Sequence, residues 1–328
     1  MNILILGASG FIGRNVLDYF SKYKENKIVA TWKTRRIEDT ENVFGLSADL
    51  TTETEVKMVF DFADKILDNK IDVVIQAAAT TSGSKDALSK PWYHVTDNAV
   101  MNSLILREEL NHNVSHHIFF SCTVMYSGLK GMATEDTKID HIDDKYFGVG
   151  WTKVYLEKMC EFYSRFKKTK YTAIRHSNIY GPYDKFDLDH SHFFGATITK
   201  VMTAKDGGDI IVWGNGEDKR DFLYATDLVG FLNELIEKRF GITDKDYILF
   251  NLGSGENTTT NEVVRKVVEA SGKELRILND LSAPSISISF SVGNAVIKRY
   301  GFGWEPRITI EEGIEQTIQW WKENYNKK

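Results

Sequence analysis

Cysteine is scarce in this 328-residue sequence, which contains only Cys122 and Cys160. Two cysteines are too few for a disulfide framework, and their scarcity favours the reducing cytoplasm. Long apolar runs are also missing, because none approaches the ~20 residues that a helix needs to cross a bilayer. The short apolar stretch at the N-terminus leads directly into glycines, without the basic leader or the cleavage site of a signal peptide. We therefore expect a cytoplasmic protein with no membrane association.

An excess of positive charge is absent as well. The formal net charge is −5, which gives no support for nucleic acid as a partner. Hydrophobic residues make up 42% and charged residues 27% of the chain, as expected for a globular protein with a large core. The adjacent His116 and His117 have no cysteine or acidic cluster beside them, so we interpret them as structural and predict no metal site.

Short apolar runs alternate with polar stretches of helical length over the first half of the chain. The runs NILILG, KIVATW, DVVIQAA and HHIFFS begin at residues 2, 27, 72 and 116. Continuous apolar runs of this length are typical of parallel strands that are buried on both faces. The alternation predicts an α/β fold with a doubly wound parallel sheet of the Rossmann type. It loosens after residue 176, so we expect a dinucleotide-binding domain over 1–176 and a smaller, mainly substrate-binding lobe over 177–328, with some segments returning to the sheet.

The first predicted strand ends in the motif GASGFIG, which contains Gly7, Gly10 and Gly13. Glycine lets the backbone turn tightly and approach a pyrophosphate, and the following helix N-terminus offers N–H groups and its positive dipole end to the phosphates. The position of the motif between a strand and a helix predicts a nicotinamide dinucleotide site. The residues that we assign to this cofactor are Gly7, Gly10, Phe11, Ile12, Gly13, Lys33, Arg36, Asp49, Leu50, Ala78 and Lys153.

The end of the second predicted strand lacks the acidic residue with which an NAD site usually binds the ribose hydroxyls. It carries Lys33, Arg35 and Arg36 instead. These basic side chains favour NADP over NAD, because they can pair with its 2′-phosphate. A solvated basic loop is the alternative interpretation. Asp49 follows the third strand, where its side chain can hydrogen-bond the adenine.

Seven segments resemble, in order along the chain, the motifs of one known family. They are GASGFIG, DVVIQAAA, FFSCTVMY, GWTKVYLE, RHSNIYGP, KRDFLYATD and NLGSGE. Over nearly its whole length the chain resembles the extended short-chain dehydrogenases/reductases of the nucleotide-sugar epimerase, dehydratase and reductase group. Within that group it is most similar to the GDP-fucose synthases, through residues 181–193 and 212–223. The resemblance implies a GDP-linked sugar or 4-keto sugar as substrate, and a homodimer formed through the helices that begin near Asn98 and Trp151.

The chemistry of this family uses a tyrosine four residues before a lysine, whose ammonium lowers the pKa of the phenol so that it can take a proton from a sugar hydroxyl. Lys153 matches the lysine, but Val149 stands at the tyrosine position. The family also has a serine or threonine four residues before a tyrosine at the end of the fifth strand. Counted from Tyr126, that position holds Cys122, with Thr123 beside it. The resemblance therefore implies an altered catalytic site.

GDP-fucose synthases also use a cysteine and a histidine to epimerise their sugar. His192 matches the histidine, whereas Val124 occupies the cysteine position. Hydride transfer needs only a nicotinamide, a held substrate and some proton acceptor, so we expect redox chemistry rather than this epimerisation. As proton carriers we expect Lys153 first and His192 second. Tyr146 is a third candidate, but it lies roughly 10 Å from Lys153 along a helix unless the preceding chain folds back.

The resemblance also assigns substrate-binding residues in the second lobe. Asn178 and Trp213 match residues near the sugar, and His192 is assigned to the substrate as well. Lys200 and Arg220 match cations that face the diphosphate. Two cations suit a diphosphate because their attraction strengthens when water is excluded.

Three hypotheses follow. The leading one is an NAD(P)-dependent dehydrogenase or reductase that acts on C4 of a GDP-linked sugar in the synthesis of polysaccharide or glycan precursors. The second is an epimerase that works through a transient keto sugar. The third is a catalytically degenerate homologue that binds the cofactor without turnover.

Overall fold

Parallel strands form the centre of the structure, a computed structural model that describes residues 1–81, 90–283 and 289–325. In chain order the strands are β1 (Asn2–Leu6), β2 (Lys27–Trp32), β3 (Val43–Ser47), β4 (Ile71–Gln76), β5 (Val114–Cys122), β6 (Lys130–Ala133), β7 (Lys170–His176), β8 (Asn178–Tyr180), β9 (Asp209–Trp213), β10 (Lys219–Arg220), β11 (Phe222–Tyr224), β12 (Tyr247–Leu252), β13 (Thr258–Thr259), β14 (Arg276–Asp280) and β15 (Ser289–Val292). The helices are α1 (Phe11–Phe20), α2 (Glu53–Ile66), α3 (Thr96–Glu108), α4 (Phe147–Ser164), α5 (Phe193–Thr203), α6 (Ala225–Ile242), α7 (Thr260–Ser271), α8 (Ala295–Arg299) and α9 (Ile310–Asn324). Short 3₁₀ turns cover Pro91–His94, Glu109–Asn111, Val124–Tyr126 and Asp144–Tyr146.

Seven of these strands make one sheet, in the order β3-β2-β1-β4-β5-β7-β12. Every neighbouring pair is parallel, so the predicted doubly wound parallel sheet is confirmed. The order reverses between β1 and β4, and their carboxyl ends therefore open a crevice of the kind in which such folds bind ligands. β12 joins this sheet from the second half of the chain.

Buried side chains alternate along β1. Ile3 and Ile5 pack into the apolar cluster that contains residues of α1 and α6. Leu4 and Leu6 pack into the cluster on the other face, which contains residues of α2 and α3. Because helices cover both faces, the strand has no polar side, which explains its continuous apolar sequence.

Helix α4 begins at Phe147, earlier than the start near Trp151 that the sequence suggests. Two glycines in the first turn weaken the helical pattern there. A Cβ added at Gly150 would lie 2.9 Å from side-chain carbons of Ile142, so that side chain would have to shift. The other helix of the expected dimer interface, α3, begins at Thr96, close to the start expected near Asn98.

The smaller lobe has its own apolar cluster, built from residues of α5, α7 and α9 and from the strands β8, β9 and β11. Its strands pair two by two as β8 with β11, β9 with β14 and β10 with β13. Thr309 caps the last helix, and with Glu312 it forms a capping box that fixes the helix start at Ile310. Within the described ranges, no helix combines the length and the apolar character that crossing a membrane would demand.

Candidate active site at the carboxyl edge of the sheet

The glycine turn lies at the crevice between β1 and β4. Gly7 has a φ of +75°, and a Cβ added there would lie 2.5 Å from the Cα of Ala78, just beyond β4. A Cβ on Gly13 would overlap the carbonyl oxygen of Gly7. Gly10 is the N-cap of α1, whose N-terminus has no side-chain cap and no acid in its first turn. The turn therefore presents backbone N–H groups at close range, as binding of a dinucleotide pyrophosphate requires.

Other residues assigned to the cofactor lie at the start of α1 and after β3. Phe11 and Ile12 begin α1 and are half-buried, and Leu50 is buried after β3. The Gly7 N–H donates to the hydroxyl of Thr31 at 2.9 Å, which fixes the turn to β2. Sequence reasoning missed Thr31, because a threonine inside an apolar strand looks like an ordinary β-former.

The charged residues after β2 pair with acids. Lys33 Nζ lies 2.7 Å from Asp49 Oδ2, and this hydrogen bond lowers the pKa of Asp49 to about 2. Arg36 Nε lies 3.4 Å from Glu38, and both side chains are exposed. Arg36 also lines a surface cavity of about 280 Å³ together with Arg14 of α1. Lys33 and Arg36, predicted together, thus lie in two separate ion pairs.

Hydrogen bonds join the segment that follows β8 to the cofactor end of the sheet. They run from Asn15 Nδ2 to the Pro182 carbonyl (2.9 Å), from Tyr183 Oη to Asp18 Oδ2 (2.5 Å), and from Lys185 Nζ to the Thr81 carbonyl (2.5 Å). The segment that resembles a sugar-nucleotide loop is therefore held against α1 and the chain after β4. This contact brings the smaller lobe to the mouth of the crevice.

Lys153 reaches the carboxyl end of β5 from α4. Its ammonium donates to the carbonyl of Phe120 at 2.7 Å and lies 4.8 Å from the ring centroid of Phe119. Burial lowers the pKa of Lys153 from its ordinary value. Val149 precedes it by one turn on the same helix and offers no proton. Among the described side chains, the Lys153 ammonium thus hydrogen-bonds no phenol.

A buried polar network holds α4 on the sheet. Glu157, one turn after Lys153, accepts two bonds from the Arg175 guanidinium (2.9 and 2.5 Å) and one from the Ser121 hydroxyl (2.6 Å). Arg175 also donates to the Tyr126 hydroxyl at 2.7 Å, and this hydroxyl donates to Asn251 at 2.9 Å. Burial raises the pKa of Tyr126. Tyr126 is therefore a structural member of the network.

The residues predicted around the missing phenol lie between β5 and α4. Cys122 ends β5, and burial raises the pKa of its thiol. Thr123 is buried beside it. Tyr146 precedes α4 directly and lies close enough to Arg220 and Cys122 for their charges to act on its pKa, which burial raises. The chain before α4 therefore turns toward the second lobe, although Tyr146 forms no hydrogen bond with Lys153.

His192 and Arg220 face each other in the second lobe. His192 is the N-cap of α5. Desolvation lowers its pKa to about 4, and the charges of Lys185, Arg220 and His94 act in the same direction. The Arg220 guanidinium lies 5.2 Å from the ring centroid of Phe193, and its buried Nε has no hydrogen-bond partner among the described residues. Because an unpaired buried N–H is costly, an anionic group bound here would be stabilising.

The remaining predicted substrate residues lie on either side of this pair. Lys200 donates to the carbonyl of Ile211 at 3.3 Å, and Trp213, two residues further along β9, is 47% exposed. Asn178 begins β8 and is exposed, with its amide donating to the carbonyl of Asp221 at 2.9 Å. All three thus belong to the lobe and none to the central sheet.

His176 is a further candidate for the site, and sequence reasoning missed it. It ends β7 in register with Cys122, and its ring centroid lies 6.1 Å from that of Phe120. Desolvation lowers the pKa of His176 to about 4, and the Lys153 charge acts in the same direction. A histidine shortly after the mostly apolar stretch YTAI at residues 171–174 is the signal that could have identified it.

The structure therefore brings several of these residues together in two groups. One group lies near the carboxyl ends of β5 and β7 and consists of Cys122, Thr123, Tyr146, Lys153, His176, His192 and Arg220. The other lies at the carboxyl ends of β2 and β3 and consists of Lys33, Arg36, Asp49 and Leu50. The glycine turn lies between them, because β1 separates β2 from β4 in the sheet.

Comparison with known proteins gives a family match over most of the chain. The model of the NAD dependent epimerase/dehydratase family matches residues 3–253. The GDP-L-colitose synthase of Yersinia pseudotuberculosis is 26% identical, with 99% of each chain covered. The GDP-L-fucose synthase of Escherichia coli (strain K12) is 25% identical over 85% of this chain and 89% of its own.

Solved structures share the fold over the full length. A UDP-glucose 4-epimerase from Thermotoga maritima, solved with UDP-glucose, has a TM-score of 0.83 at 22% identity and covers 98% of this chain and 99% of its own. A dTDP-glucose 4,6-dehydratase from Bacillus anthracis, solved in complex with NAD, has a TM-score of 0.77 at 22% identity, with 99% and 98% covered. At these identities the likeness shows the fold.

Proposed function

Because the chain belongs to the NAD-dependent epimerase/dehydratase family, we propose that it is an NAD(P)-dependent dehydrogenase or reductase that acts on C4 of a GDP-linked sugar. The observation that carries this proposal is the position of Lys153, His192 and Arg220. They gather where the crevice meets the smaller lobe, so a nicotinamide on one side and a sugar diphosphate on the other would meet there.

The bound nicotinamide would accept or supply the hydride. The protein would hold the reactants and move a proton. Lys153 can do both, because its ammonium is anchored on the Phe120 carbonyl and burial brings its pKa closer to neutrality. His192, at the start of α5, is the second candidate for proton transfer, on the side of the lobe.

The proposal of a GDP-sugar rests on the cations of the lobe and on the named relatives. Arg220 has a buried Nε without a partner in the described chain, and Lys200 makes one long bond of 3.3 Å to a carbonyl. Both can therefore turn to a diphosphate at little cost. Trp213 and Asn178 are exposed nearby and can contact the sugar. Two relatives that align with the chain are a GDP-L-colitose and a GDP-L-fucose synthase, which supports a place in glycan precursor synthesis.

We further propose NADP as the preferred cofactor. Arg14 of α1 and Arg36 line one cavity between α1 and the chain that follows β2, and a 2′-phosphate there could replace Glu38 as the partner of Arg36. Lys33 contributes less, because Asp49 already neutralises it. The dTDP-glucose 4,6-dehydratase structure is a complex with NAD; KM values measured with both cofactors test the preference, and a lower KM for NADH would refute it.

A homodimer is the proposed assembly, in the cytoplasm. Helices α3 and α4 pack side by side, and their outer faces carry exposed apolar side chains. Tyr155 and Phe162, two turns apart on α4, are 55% and 52% exposed, and Val100 of α3 is 40% exposed. A second copy would cover these side chains. Light scattering on a sizing column is expected to give twice the mass of the chain, and a monomer would refute the proposal.

The test of function is a cofactor assay. The purified protein is mixed with GDP-mannose, GDP-fucose or GDP-4-keto-6-deoxymannose and with each redox form of NAD and NADP, while the absorbance of the reduced nicotinamide is followed. We expect turnover with at least one GDP-sugar and little with the matching UDP-sugar. Absence of turnover with every GDP-sugar would refute the proposed function.

Two further measurements separate the other hypotheses. Solvent deuterium incorporated beside the carbonyl carbon, with no net change in cofactor, would identify an epimerase instead. Val149→Tyr is expected to lower turnover, because the site has adapted to work without a phenol there. A large gain in turnover from Val149→Tyr would identify a degenerate catalyst.

A further inference from the structure

His176 lies where the cofactor crevice meets the smaller lobe. It ends β7 in register with Cys122, and the charges of Lys153 and His192 both reach it. Lys153 comes from α4 and is anchored at the end of β5, whereas His192 belongs to the lobe. A ligand that extends from the glycine turn to Arg220 would therefore pass beside the imidazole.

The hydrogen bonding of His176 defines its tautomer. Its Nδ1 lies 2.8 Å from the carbonyl oxygen of Ser177. A carbonyl oxygen can only accept, so Nδ1 carries the hydrogen, and Nε2 of the neutral ring is an acceptor. Nε2 has no hydrogen-bond partner among the described residues and is not among the buried unpaired atoms. It therefore offers a free lone pair that a ligand can reach.

The groups that face His176 favour this neutral form. Lys153 faces it from α4, Cys122 from β5 and His192 from the start of α5, with Arg220 beyond His192. Burial first, and then the charges of Lys153 and His192, lower the pKa of His176 to about 4. The imidazole is therefore neutral at pH 7, and Nε2 suits a hydroxyl donor better than a carbonyl.

We propose that Nε2 of His176 takes the proton of the sugar hydroxyl during oxidation, in place of the phenol that Val149 cannot supply. This role rests on the proposed redox function. The C–H bond of the sugar carbon breaks and its electron pair leaves with the hydrogen for the oxidised nicotinamide. The O–H bond breaks and its proton forms the Nε2–H bond, while the C–O bond becomes C=O. Reduction of a keto sugar follows the same steps in reverse.

His176→Asn tests this role, because the asparagine amide can still donate to the Ser177 carbonyl while Nε2 is lost. We expect kcat to fall by about 100-fold or more, with both KM values within about threefold of the wild type. The substrate is the GDP-sugar that is oxidised in the assay above. His141→Asn, the same change at an exposed histidine outside the site, is expected to leave kcat unchanged.

The pH profile distinguishes His176 from Lys153 as the base. If His176 accepts the proton, kcat/KM for oxidation stays level from about pH 9 to about pH 6 and falls only as the pH approaches the pKa near 4. If Lys153 accepts it, kcat/KM falls as the pH drops below the higher pKa of the lysine. The second profile would overturn the proposal.

Two other results would also overturn it. One is a kcat of His176→Asn that equals the wild-type value. The other is an increase in the KM for the cofactor alone, which would mean that the ring only holds the nicotinamide carboxamide.

If His176→Asn does not melt cooperatively, His176→Gln replaces it. Nitrogen-15 NMR of the wild type must in any case show hydrogen on Nδ1 and none on Nε2. A wild-type protein that turns over no GDP-sugar refutes the proposed function itself, whereas an active wild type matched by His176→Asn refutes only this role.

Discussion

Replacing Glu157 by glutamine would break the buried ion pair that joins α4 to the sheet. Glu157 and Arg175 are both buried, and the carboxylate accepts two bonds from the guanidinium and a third from Ser121. Glutamine has almost the same shape, but its amide group cannot accept from the guanidinium at both positions. Glu157→Gln therefore leaves the Arg175 charge buried without a counter-ion.

The size of the effect follows from the burial. Removing one partner of a buried ion pair costs about 3–5 kcal/mol of the free energy of unfolding. At roughly 2.1 cal/mol/K per residue, a chain of 328 residues unfolds with an entropy of about 0.7 kcal/mol/K at its midpoint. The thermal midpoint should therefore fall by about 4–7 °C.

Differential scanning calorimetry measures this shift, with Glu161→Gln as the matched control. Glu161 lies one turn further along α4 and pairs with Lys158 at 2.8 Å, but both side chains reach solvent. Exposed pairs of this kind contribute about 0.5 kcal/mol or less, so the control should move by less than about 1 °C. Adding Arg175→Met to Glu157→Gln should recover part of the loss, because the unpaired charge is removed. Equal midpoints for Glu157→Gln and Glu161→Gln would refute this reasoning.

Gly13→Ala is expected to weaken dinucleotide binding by about tenfold or more in titration calorimetry, because the added Cβ would overlap the Gly7 carbonyl; unchanged affinity would contradict the assignment of this turn to the pyrophosphate. Arg36→Ala should raise the KM for NADPH by about tenfold and leave that for NADH unchanged, whereas Lys22→Ala, at an exposed lysine that does not line this cavity, should alter neither. Burial raises the pKa of Asp184 to about 7, so the folded state keeps a proton that the unfolded state loses near pH 4, and stability falls as the pH rises between these values. Asp184→Asn should therefore raise the thermal midpoint at pH 8 and change it little at pH 4, and equal shifts at both would exclude this linkage.

Much of the sheet and the glycine turn could be predicted because their determinants are local. The run NILILG is apolar on both sides of the strand, which is the pattern of a strand covered by helices on both faces. The turn needs glycine because a Cβ on Gly7 would meet Ala78, and a Cβ on Gly13 would meet the carbonyl of Gly7. The capping box of Thr309 and Glu312 likewise acts within one turn of chain. Such short-range requirements are visible in the order of the residues.

The contacts of the charged residues and of His176 required the tertiary structure. Lys33 and Asp49 were assigned separately to the phosphate and the adenine, yet they bind each other at 2.7 Å, because β2 and β3 end side by side. His176 gained a role only when β7 lay beside β5 and α5 approached from the lobe. Its tautomer depends on the carbonyl of Ser177, and its charge state on burial and on neighbours that lie far apart in the chain. A pKa and a free lone pair are properties of a side chain's surroundings in space, and residue spacing along the chain does not encode them.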